Sequence, residues 1–66
     1  MANNVKGYRR LANIPQENMA KELKMSTTTY SYKENGKSEF LESEMKSVYS
    51  ILKKTIPTLK FEELFF

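Results

Sequence analysis

The chain has 66 residues, with 11 Lys and Arg against 8 acids, all of them Glu, for a net charge of +3; this length makes one domain, which buries only about 60% of its unfolded surface. The absence of cysteine excludes a disulfide framework, and the absence of histidine removes the usual zinc ligand and the commonest catalytic base. No apolar run approaches the roughly 20 residues of a membrane span and no signal-peptide hydrophobic region is visible, so an intracellular protein is expected, stapled by packing or by a partner chain.

Val5, Tyr8 and Leu11 fall at three-residue steps, with Ala12 four after Tyr8, which predicts a first helix over 4–11. Gly7 lies inside it and weakens it by about 1 kcal/mol relative to Ala. Ile14-Pro15 marks a break, because the residue before Pro avoids helical backbone angles and Pro suits a helix start. From Gln16 onward, Met19, Ala20 and Leu23 form one apolar stripe on a short second helix. Lys24 and Met25 are a connection, and Ser26 is an N-cap for a third segment.

The stretch "TTTYSYKE", 27–34, admits two readings. As a strand it would put Thr27, Thr29, Ser31 and Lys33 on one face and Thr28, Tyr30 and Tyr32 on the other, and neither face is apolar. As a helix it points Tyr30 inward and Thr27, Thr28, Ser31 and Tyr32 outward, and Asn35-Gly36 closes it with Gly in the left-handed cap position. Thr and Tyr are middling helix formers, so context has to hold this helix. Met45, Val48, Tyr49, Ile51 and Leu52 then fit a longer amphipathic helix over 42–54. Pro57 breaks it, and Thr58 is expected to cap a last short turn with Glu62 and Glu63 near its positive end. Met19, Met25, Met45 and Tyr8 are expected in the core. The fold class is all-α, four helices plus a terminal turn, with no strand.

A short helix, a turn of about three or four residues and a second short helix with a polar outer face is the helix-turn-helix pattern. "QENMAKELKMSTTTYSYKENGK" has that layout. Here the chain resembles the lambda-repressor and Cro family of regulators, often called XRE-like, including small phage regulators of Gram-positive hosts. The resemblance runs from "VKGYRRLANIPQENMAKELKMSTTTYSYKENGKSEF" to "FEELFF"; it is carried by positions from Arg9 and Gln16 through Lys37, and the Tyr-Ser followed by Glu-Asn-Gly-Lys is quite specific in this setting. It implies a compact five-helix domain that binds operator DNA sequence-specifically as a repressor or genetic-switch protein in the cytoplasm, beside the nucleoid, usually as a homodimer on paired half-sites.

In that family the first helix of the motif crosses the DNA backbone and the second enters the major groove. Gln16 can then donate to a phosphate or reach a base edge, or stand as an ordinary polar residue of a first turn. Thr27, Thr28, Ser31 and Tyr32 match the groove-facing positions. A Thr methyl fits the C5-methyl of thymine, while short hydroxyls discriminate bases less than a bidentate pair does. Asn35 and Lys37 match backbone-contacting positions, although Asn35 also reads as a helix cap. Arg9 and Glu34 match a structural salt bridge. Lys33, Pro15 and Lys24 depart from the commoner pattern. Lys33 can pair with a Glu or add a phosphate contact, and Lys24 replaces a turn glycine. Phe65 or Phe66 is the expected dimer contact, with Leu64 and Phe61 closing the core.

No nucleophile, paired carboxylate with a base, or phosphate-cradling glycine loop appears, so neither catalysis nor a cofactor is expected. The alternative function is a protein-interaction module of the same fold, binding a partner repressor as an antirepressor or modulator, or neutralising a toxin. Hydroxyl and Tyr side chains serve protein contacts too.

Overall fold

A computed structural model describes residues 3–65. Five helices succeed one another: α1 (Val5–Leu11), α2 (Gln16–Glu22), α3 (Thr27–Glu34), α4 (Glu42–Thr55) and α5 (Phe61–Phe65). Among the described residues there is no strand, so the helical reading of 27–34 holds. No helix there is long and apolar enough to cross a membrane.

The first three helices stop in the same way. In each, the second residue past the last helical one takes a left-handed backbone: Asn13 at φ 59°, Lys24 at φ 58° and Gly36 at φ 82°. The chain then folds back to donate into the last turn, from Ile14 N to Arg9 O (3.1 Å), Met25 N to Ala20 O (3.0 Å) and Lys37 N to Tyr32 O (2.8 Å). This is the Schellman closure, which satisfies carbonyls that a helix end otherwise leaves open. Gly and Asn tolerate the left-handed backbone, whereas at Lys24 it costs about 1–2 kcal/mol.

The starts differ. Ser26 caps α3, its Oγ accepting from Thr29 N at 3.2 Å. At α1 the cap comes from one residue earlier than the helix edge suggests: Asn3 Oδ1 accepts from Val5 N at 3.0 Å. Leu41 cannot cap α4 with its own side chain, so Glu44 reaches back and accepts from Leu41 N at 2.8 Å. The same device starts α5, where Glu63 accepts from Lys60 N at 2.8 Å. The expected cap at Thr58 is therefore corrected: the last helix begins at Phe61, and its acid in the first turn, not Thr58, receives the free N–H.

Val5, Met19, Ala20, Tyr30, Phe40, Val48, Leu52, Leu59 and Leu64 form the buried core. Every helix contributes at least one of them. Of the expected core group only Met19 is fully buried; Tyr8, Met25 and Met45 pack against the outside of the core, half-exposed. Leu64 is buried with Phe61 half-buried beside it, as expected for the closing turn. Asn4 ties the two ends of the chain, its N donating to Leu64 O and its side-chain amide to Glu63 O, each at 2.9 Å.

Candidate nucleic-acid interface

The α2–α3 unit is a helix-turn-helix, with Leu23 to Ser26 as its turn and α3 as the outer helix. The orientation of α3 follows from Tyr30 and Glu34, one turn apart and both buried. With these two turned inward, Thr27, Thr28 and Tyr32 face solvent and Ser31 is half-buried. Tyr32 keeps 48% of its surface exposed. Lys37 sits over its ring, Nζ 5.2 Å from the centroid, so the cation stands at the C-terminal edge of the exposed face. Asn35 takes the C-cap place, and its amide donates to Ser31 Oγ at 3.3 Å.

Glu34 is the anchor of this unit. Its carboxylate accepts from Arg9 Nε (2.9 Å) and Nη2 (3.2 Å), and from Gln16 Nε2 (3.0 Å). The remaining Arg9 nitrogen, Nη1, donates to Ile14 O at 2.8 Å. The carboxylate thus holds α1 and the first residue of α2 against the end of α3, and Arg9 extends the hold to the 12–15 connection. Burial pushes the Glu34 carboxyl up, but Arg9, with Tyr30 and Gln16, outweighs it and holds the group below its ordinary value. The Arg9 guanidinium is in turn held above its usual value, chiefly by its bond to Glu34. The Tyr30 hydroxyl lies beside this pair, off hydrogen-bond geometry, and its pKa is raised by burial first and by Glu34 second.

A second tether fixes the other edge of α3. Lys33 Nζ meets Glu44 Oε1 at 2.6 Å, both side chains mostly buried. Burial of Glu44 raises its carboxyl, and Lys33 and the Leu41 N–H more than offset that. Asn3 adds a third hold, its amide donating to Lys33 O at 3.1 Å. Lys33 therefore takes the Glu-pairing course of its two expected roles.

The expected site residues thus divide. Thr27, Thr28, Ser31, Tyr32, Asn35 and Lys37 come together along α3 and the turn after it. Gln16 is half-buried with its amide nitrogen engaged by Glu34, leaving that nitrogen one further N–H for an outside acceptor. Phe65 is half-buried, edge-on to Phe40 at 5.9 Å and 5.1 Å from Phe61, so it serves the core more than a free surface. Phe66 lies outside the described residues. Sequence reasoning missed the Gln16–Glu34 bond and the Asn3 tether, since no local spacing signals contacts 18 and 30 residues apart. Among the described residues no group of three potential metal ligands occurs. Comparison with protein-family models, with curated proteins and with solved structures finds no match for the chain.

Proposed function

We propose that the protein is a sequence-specific DNA-binding regulator of the cytoplasm, a Cro-like repressor or switch protein that lays α3 into the major groove of double-stranded operator DNA. The observation that carries this reading is the two-sidedness of α3. Its inner edge is locked by Tyr30, Glu34 and Lys33, while Thr27, Thr28 and Tyr32 are presented outward on the second helix of a helix-turn-helix. A reading head needs that rigidity, because base-edge contacts tolerate little misplacement. Two copies on DNA would set their α3 helices about 34 Å apart, one turn of duplex.

The cations near α3 favour modest phosphate binding. Arg9 and Lys33 are engaged in internal pairs, which leaves Lys37 as the cation held beside the exposed face. The same observation supports the second reading, a module that seats a partner repressor or a toxin on α3.

Binding to duplex fragments flanking the protein's own gene separates the two. The DNA reading expects one fragment retained, with affinity falling on added salt at about 0.9 power per neutralised phosphate. Thr28→Ala and Tyr32→Ala should each weaken binding to that fragment about 5- to 150-fold, the 1–3 kcal/mol of a lost base contact, with melting unchanged. Retention of no fragment at low salt, or unaltered affinity in both variants, would move the protein to the second reading.

A further inference from the structure

Neither space nor backbone conformation inside this fold requires a glycine at position 7. Gly7 is the third residue of the seven-residue α1, its φ is not positive, and a Cβ placed on it meets nothing within 4 Å. Glycine weakens a helix interior, so its presence calls for something that approaches the bare backbone. Leu11, one turn further on, is 68% exposed, more than Leu41 or Tyr32. Gly7 and Leu11 share a shallow groove of about 460 Å³ with Tyr8, Asn3 and Asn4.

The two rims of the groove differ in charge. Residues on a helix turn by about 100° each, which puts Lys6 and Arg10 on the rim beside Gly7. Both are exposed, and no ion pair among the described residues involves them. The opposite rim is Tyr8, whose hydroxyl donates to the exposed Glu63 carboxylate of α5 at 3.3 Å.

We infer that this groove is a docking face for a second copy of the chain, with two α1 helices packed side by side and parallel about a two-fold axis running along them. An isologous contact must be self-complementary. A parallel pair meets that demand, because it sets the Lys6–Arg10 rim of one copy against the Glu63 rim of the other, twice. An antiparallel pair would face the cationic rims with each other. Gly7 lets the backbones close up, and Leu11 of each copy is covered. The competing groove, lined by Met45 and Phe61, is less suited to a partner: Met45 packs against the core, and the Glu42 and Lys46 that complete its lining pair with each other. Dimerisation through α1 stands apart from the DNA reading and is tested without DNA.

Sedimentation of the full chain over a range of concentrations should show a monomer–dimer equilibrium. Gly7→Gln should raise the melting temperature of the dilute monomer and weaken the dimer at least tenfold, a pairing of effects that a merely structural role cannot produce. Leu11→Ser should weaken it similarly with no change in melting. Arg10→Glu makes both rims acidic and Glu63→Arg makes both basic; each variant alone should stay monomeric, and their mixture should associate. Melting of each single variant checks that α5 survives the change. A strict monomer up to millimolar concentration overturns the inference. So does a dimer that Gly7→Gln and Leu11→Ser leave unchanged, which would place the contact away from α1.

Discussion

The Glu34 carboxylate joins α1, the start of α2 and the end of α3, and its side chain is fully buried while Arg9 keeps 10% of its own exposed. Breaking a buried pair from one side costs about 3–5 kcal/mol, because the other charge is stranded. A domain of this size holds about 3–10 kcal/mol in all. Glu34→Gln should therefore lower the melting temperature sharply. Glu42→Gln removes only an exposed 3.7 Å pair with Lys46, worth about 0.3–0.5 kcal/mol. The pH dependence has a definite sign. The folded Glu34 carboxyl titrates below its unfolded value, so its stabilisation is complete above about pH 4.3 and fades as pH falls through the lower folded value. Glu44 is held below its ordinary value too and acts in the same direction. Thermal melts from neutral pH into acid should show wild-type stability falling below about pH 4.3, with a flatter curve for Glu34→Gln. Equal melting temperatures for the two Gln variants would contradict the anchor. The Arg9–Glu34 partnership was legible in the chain through its resemblance to the helix-turn-helix regulators. Gln16 as the third member was not, because its partner is chosen by how α2 sits on α3.

The three Schellman closures are one solution reached with Gly36, Asn13 and Lys24. Asn-Gly announced the end of α3. At Lys24 only the resemblance points to a turn glycine; the backbone turns as a glycine would, so the geometry belongs to the α2–α3 turn rather than to its side chain. Lys24→Gly should stabilise the fold by about 1 kcal/mol, the left-handed strain relieved less the greater freedom of the unfolded glycine. Urea unfolding decides this, and a loss of stability would mean that Lys24 makes a compensating contact. The α3 helix beyond it is short of intrinsic propensity. It persists because Ser26 caps it, Tyr30 is buried and its last turn is tied by Glu34 and Lys33. The last helix is not legible in the chain, since five residues carry too little periodicity to reveal it, and Glu63 rather than Thr58 supplies the cap from inside it.

Leu64 closes the core from the far end of the chain, fully buried, beside Asn4 at the start of α1. Leu64→Ala should cost about 3 kcal/mol through lost burial and the cavity left behind. Leu41→Ala, at a position 62% exposed, should change stability by less than about 0.5 kcal/mol. Denaturant melts of the two test how far the small core depends on its terminal helix. The sequence by itself determined the all-helical class, the positions of α1 to α4 to within a residue or so, the inward Tyr30 and the outward Thr27, Thr28 and Tyr32. Those follow from apolar spacing, Pro, Ser and Asn-Gly, which act within a turn or two of chain. Only the tertiary structure decided that Gln16 and Lys33 would be engaged by Glu34 and Glu44, that Phe65 would pack on Phe40, and that Gly7 and Leu11 would be left in an open groove. Those outcomes depend on which surfaces meet when the helices close around one core, and residues 11 to 30 positions apart carry no mutual signal until they do.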